Sequence, residues 1–179
     1  RLRGNFKRLK SNTTSAESGT TTGYALAGTT QGTADIAQLN NINRSGDTIV
    51  DWFFRRAPGF FDVVAFTGNG VSSGQYINHS LGVVPELIIV KPRDFNGSWQ
   101  VFETSLGAGK YMHLHEDSSF ITNPDVGFGS VMPTATQFFR KGNNDNHNGS
   151  NYISYLFATL DGISKVGTYS GTGSNIDVD

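Results

Sequence analysis

Two short stretches of this sequence carry residues able to bind or react. In "YMHLHED", residues 111–117, Tyr111, His113 and His115 fall on one face if the segment is a strand, because side chains alternate; Met112 and Leu114 then face the core. Imidazoles at i and i+2 can share a metal ion, with Glu116 or Asp117 adding oxygen. A further nitrogen would have to come from His79 or His147, and a solvated polar face is the plainer reading. The second stretch is "NNDNHNGSN", residues 143–151. Asn144, Asn146 and Asn148 before Gly149 begin a calcium-loop spacing, but Tyr155 stands at the position of the closing Glu, and Asp145 is the only carboxylate. Calcium affinity would be weak, no cofactor is required, and the metal candidates reduce to His113, His115 and Asp145. A long hairpin loop is the expected form. The same loop suits sugar, because side-chain amides pair bidentately with hydroxyls. Candidate carbohydrate contacts are Asn143, Asn144, Asp145, Asn146 and His147, with Asn96 in the neighbouring turn "RDFNGS".

Other motifs read as structure. "GVSSG", residues 70–74, fits Gly-X-Ser-X-Gly, but a nucleophile elbow needs a helix after the Ser and "QYINHSLG" is not one. The Gly-X-Gly turns at 68–70 and 171–173 lack the third Gly and the helix of a dinucleotide site, so hairpin turns are expected. Trp52 and Trp99 lie inside apolar runs and are expected in the core. Asp62, Glu86, Glu103 and Asp161 are scattered, with nothing to fix two of them at the separation that glycoside hydrolysis demands.

The elements that must position these residues are strands. Gly is abundant at 22 residues and only 16% of the chain is charged, while Asn, Ser and Thr fill the gaps between short apolar runs, the habit of all-β chains rich in turns. Strands are expected near 61–67, 75–78, 86–92, 98–103, 110–115, 136–140 and 151–158. "ELIIVK" and "YISYLFA" are apolar on both faces, as in central strands, whereas "SWQVFE" alternates Trp99 and Val101 against Gln100 and Phe102. The expected architecture is an antiparallel β-sandwich of jelly-roll type, with an immunoglobulin-like sandwich as the alternative. Cys is absent, which removes disulfides and thiolate metal sites. No apolar run reaches the roughly 20 residues of a membrane helix, so no membrane insertion is expected. The formal charge is −1, but Arg1, Arg3, Lys7, Arg8 and Lys10 are concentrated in the first ten residues. A strand edge guarded by cations explains them better than a nucleic-acid arm.

The chain also repeats itself. Residues 46–70 and 149–173 align without a gap, 103 positions apart, with 6 of 25 identical. Gly46 matches Gly149, Phe54 matches Phe157, Gly59 matches Gly162, Val63 matches Val166, Gly68 matches Gly171 and Gly70 matches Gly173; Phe60 and Phe66 stand opposite Ile163 and Tyr169. A period near 100 residues fits a small β domain in tandem. Residues 1–59 would be the latter part of one copy, 60–162 a complete copy and 163–179 the start of another.

The block 78–114 with its "GSNYISYLFATLDGISKVGTYSGTG" sequel resembles a tandem repeat module of virion structural proteins in tailed bacteriophages, marine and cyanobacterial ones above all. The resemblance is carried by His79-Ser80-Leu81-Gly82 with Pro85, the strand Leu87 to Lys91, Trp99, Leu106-Gly107, Tyr152, Phe157, Gly162, Lys165, Gly167 and Gly171-Thr172-Gly173. It implies a concanavalin-A-like β-sandwich in a tail fibre or surface appendage of the virion, without an enzymatic activity. The leading expectation is therefore a non-enzymatic virion structural protein that oligomerises and contacts other virion proteins. The alternative is a carbohydrate-binding adhesin for host attachment, with the loops near 92–98 and 142–150 as its binding end; a depolymerising enzyme ranks third.

Overall fold

The computed structural model describes residues 7–8, 13–16, 18–19, 54–143, 145–175 and 177. β1 (Lys7–Arg8) and β2 (Ser18–Gly19) form a short antiparallel pair. Each strand expected between 61 and 158 is present: β3 (Phe61–Thr67), β4 (Gln75–Asn78), β5 (Leu87–Pro92), β6 (Gln100–Glu103), β7 (Lys110–His113), β9 (Gln137–Arg140) and β10 (Asn151–Phe157). A two-residue β8 (Ile121–Thr122) is added to them. Strands β3, β10, β5, β6, β7 and β8 bond in that order into a six-stranded antiparallel sheet, and β4 and β9 form a separate ribbon.

β10 lies between β3 and β5, which explains its unbroken apolar run. Tyr152 and Leu156 enter a core with Ile88 and Val90 of β5, Phe102 of β6, Ile77 of β4 and Phe138 of β9. The β4–β9 ribbon therefore covers one face of the large sheet, giving an all-β, sandwich-like arrangement. On the other face Phe157 packs on Phe61 at 4.8 Å and Tyr155 stacks on Trp99 at 6.4 Å. Trp99 is buried, as expected; Trp52 lies outside the described residues. Leu81, Ile88 and Leu156 are fully buried, each adding about 1.5–3 kcal/mol of hydrophobic stabilisation.

Polar pins join the turns to this core. The buried Asp62 carboxylate accepts the N–H groups of Val63 at 2.8 Å and Ser80 at 2.7 Å, and pairs with Arg56. His79 Nε2 meets the Thr134 carbonyl at 3.1 Å while Nδ1 accepts the Leu81 N–H at 3.3 Å, an arrangement that fixes a neutral ring. Burial lowers the His79 pKa, against the opposing pull of Thr134 and Asp62. The His79-Ser80-Leu81 stretch is thus a structural anchor. Lys91 is likewise buried; its ammonium donates to the carbonyls of Pro92 at 2.8 Å and Thr14 at 3.2 Å, and burial lowers its pKa to about 8.

One facing differs from expectation. Val101 stands opposite Met112 and Gln100 opposite His113, so Tyr111 and His113 share the face of Gln100 and Phe102. Tyr111 is consequently in the core and Leu114, beyond the strand end, is exposed. Pairing register, which the alternation alone did not supply, decides the side. Among the described residues no helix is long and apolar enough to cross a membrane.

Candidate functional site

The turn after β5 and the loop after β9 meet at one end of the large sheet. Between them is a cleft of about 620 Å³, lined by Phe95, Asn96, Gln100, Tyr111, Arg140 and Asp145, with Thr14, His113 and Asn143 among its other walls. The strands supply the floor: Gln100 opens β6, Tyr111 lies in β7 and Arg140 closes β9.

Arg140 is almost completely buried. Its Nη2 donates to Gln100 Oε1 at 2.7 Å and lies 3.2 Å from Asp145 Oδ1, and its guanidinium sits 4.6 Å over the Phe128 ring. Burial lowers its pKa while Asp145 raises it; a guanidinium keeps its proton under such a pull. Its Nη1 is buried with no hydrogen-bond partner. Asp145 Oδ2 accepts the Gly127 N–H at 2.9 Å, which fixes the carboxylate beside the cation. Gly127 has φ +63, and a Cβ there would stand 3.2 Å from the Tyr111 ring and 3.3 Å from Gln100 Oε1, so this glycine lets the chain approach the floor. Burial, and next the Asp145 charge, raise the Tyr111 pKa, keeping its hydroxyl neutral.

The rim is pinned from outside. Asn146, with no exposed surface, donates through Nδ2 to Asn69 Oδ1 at 2.7 Å and accepts the Asn69 N–H at 3.0 Å. Gly70 N–H donates to the Asn146 carbonyl and Gly149 N–H to the Gly68 carbonyl, both at 2.9 Å. Opposite, Asn96 Oδ1 accepts the Ala16 N–H at 3.0 Å, and Gly97 N–H donates to the Thr14 carbonyl at 2.8 Å. Phe95 stands edge-on to Tyr152 at 6.0 Å, an aromatic face fixed beside the polar floor.

Of the residues expected to hold sugar, Asn96, Asn143 and Asp145 line the cleft. Asn146 does not: it is a buried pin of the loop. His147 is not in the lining: its Nδ1 is 3.1 Å from Ser150 Oγ and its ring stands 5.8 Å from that of Phe95, and Asn144 lies outside the described residues. Gln100 and Arg140 are not among the sequence candidates, Phe95 lies in the turn expected at the binding end, and Tyr111 is expected on the face of His113 but not as part of a glycan cleft. A signal was present in Gln100 and Arg140, which directly flank the apolar pairs Val101-Phe102 and Phe138-Phe139, since such groups are buried only when paired.

Among the described residues, the calcium spacing does not assemble into a site; Asn144, its first member, lies outside them. Asp145 gives one oxygen to a guanidinium and the other to a backbone N–H, and Asn146 points into the Asn69 turn; a cation beside Arg140 would be repelled. Of the metal candidates, His113 and His115 do converge, with Glu116 and not Asp145 as their acidic neighbour. His113 Nδ1 is 2.9 Å from Glu116 Oε2 and His115 Nε2 is 3.3 Å from Oε1; His113 above all lowers the Glu116 pKa. His79 is occupied elsewhere. "GVSSG" is a turn in which Gly74 N–H donates to the Val71 carbonyl at 2.9 Å, and a strand follows it, not a helix.

The family described as a domain of unknown function (DUF7483) matches residues 1–177, and the chain belongs to that family. No curated protein and no solved structure gives a match.

Proposed function

We propose that this member of a domain family of unknown function is a non-enzymatic, carbohydrate-binding module of a tailed-phage virion, and that its cleft holds host-surface glycan. One observation carries the reading: the turn at 92–98, with Asn96, and the loop residues Asn143 and Asp145, far apart in sequence, wall the same cleft. Sugar hydroxyls both donate and accept. Asp145 offers its remaining acceptor lone pairs, Arg140 and the amide nitrogens of Asn96, Gln100 and Asn143 offer donors, and Phe95 offers an apolar face for ring C–H groups. Asp145 is the one carboxylate among the described residues of the lining, and it is tied to Arg140. Hydrolysis of a glycosidic bond calls for two carboxyl groups, so the lining favours holding over cutting.

The virion setting rests on the sequence resemblance, and with it the concanavalin-A-like jelly-roll form. The tandem-copy reading likewise rests on the sequence: Phe66 of β3 packs on Tyr152 at 4.9 Å, whereas its repeat counterpart Tyr169 lies in no strand and is 71% exposed. Such copies build a fibre or appendage that self-associates and contacts other virion proteins. A glycan array that includes bacterial envelope polysaccharides tests the binding reading. Selective signal from the wild type, lost in Phe95→Ala, is expected; a blank array for the wild type contradicts it.

A further inference from the structure

We propose that His113, His115 and Glu116 form a binding site for a transition-metal dication, with Zn²⁺ as the occupant, at the edge of the cleft. The inference stands independently of the glycan reading. β7 ends at His113, and Glu116 N–H donates back to the His113 carbonyl at 3.3 Å. This turn brings three side chains together although only His113 belongs to the strand. One ligand atom from each lies within 4.8 Å of the others. In a tetrahedral zinc site with bonds of about 2.0–2.1 Å, ligand atoms stand about 3.3 Å apart. His113 Nδ1 stands 2.9 Å from Oε2 of Glu116 and His115 Nε2 3.3 Å from Oε1, so the carboxylate faces each ring with a different oxygen, and a small turn of the exposed Glu116 would bring one oxygen to that spacing from both nitrogens.

The site is ordered before an ion arrives. The two imidazoles stack at 5.4 Å with 21° between their planes, and their side chains are only 14% and 9% exposed, so little rotamer freedom remains to be lost on binding. His113 Nδ1, the ring nitrogen that faces Glu116, is buried and makes no hydrogen bond of proper geometry, so it is left for an ion to satisfy. Two imidazoles and one carboxylate favour Zn²⁺, Ni²⁺ or Cu²⁺ over Ca²⁺ or Mg²⁺, which prefer oxygen alone. With three protein ligands the fourth position stays open. Because His113 also lines the cleft, the ion would stand beside whatever the cleft holds.

The test is calorimetric titration of Zn²⁺ into tag-free protein freed of metal by chelation, with Ca²⁺ as a parallel titrant. One Zn²⁺ per chain in the micromolar range and no Ca²⁺ heat are expected. His113→Ala and His115→Ala should each weaken Zn²⁺ roughly tenfold or more, while His147→Ala leaves it unchanged. Absence of Zn²⁺ binding below millimolar concentration in the wild type overturns the proposal without recourse to any variant. So does wild-type affinity retained in both His113→Ala and His115→Ala.

Discussion

Asn146 and Asn69 hold each other by two hydrogen bonds: Nδ2 of Asn146 donates to Oδ1 of Asn69 at 2.7 Å, and the Asn69 N–H donates to Oδ1 of Asn146 at 3.0 Å. The pair fastens the loop that carries Asp145 to the turn after β3. Asn146→Ala leaves the Asn69 groups without these partners and should cost about 1–3 kcal/mol in denaturant unfolding. A loss below about 0.5 kcal/mol, the range of a neutral surface change, would show that the loop is held by other means.

Arg140, buried, and Asp145, part-buried, form an ion pair. Arg140→Met strands the carboxylate beside Gln100, and a loss of about 3–5 kcal/mol is expected. Adding Asp145→Asn to Arg140→Met should recover part of that loss, because no charge is then left alone. Additive losses in the double-mutant cycle would contradict the coupling.

The internal repeat supplies its own control. A Cβ on Gly68 would fall 2.3 Å from the His147 carbonyl oxygen, whereas one on its counterpart Gly171 meets nothing within 4 Å. Gly68→Ala should therefore destabilise by about 1–3 kcal/mol through a backbone clash. Gly171→Ala should stay within about 0.5 kcal/mol. Equal melting temperatures for the two variants would count against the close approach of the 68–70 turn to the 146–149 loop.

Stability should rise with pH through two groups. Lys91 has a folded pKa of about 8 against an ordinary 10.5. Below pH 8 it is protonated in both states and the full cost of burying the charge is present; between the two values only the unfolded chain keeps the proton, so folding gains as pH climbs. His79, also lowered by burial, acts in the same sense at lower pH: stability is lost as pH falls below the ordinary histidine value of 6.5 toward the folded one. Unfolding free energy measured from pH 5 to 10.5 checks both. Lys91→Met should flatten the alkaline rise, and an unchanged slope in that variant would assign the rise to other groups.

The strands were legible because their apolar runs and Gly turns are local signals. β10, buried on both faces between β3 and β5, was readable from "YISYLFA" alone. The facing of Tyr111 was not, since it depends on the register between β6 and β7, a pairing between separate segments. The candidate site was legible at its walls, where Asn96, Asn143 and Asp145 announce polar loops. Its floor was hidden, because Gln100 and Arg140 become partners only when β6 and β9 are brought together by the fold. Asn146 misled for the same reason: an amide in a polar loop reads as available until its partner Asn69 is known.

The most direct test of the central claim is to record backbone and side-chain amide spectra of the ¹⁵N-labelled protein while a host-surface oligosaccharide is titrated in. Saturable shifts confined to the Phe95–Ser98 backbone, the Asn96, Gln100 and Asn143 amides and the Arg140 Nε–H are predicted. Saturable shifts elsewhere, with these resonances unmoved, would contradict the assignment of the cleft as the glycan site.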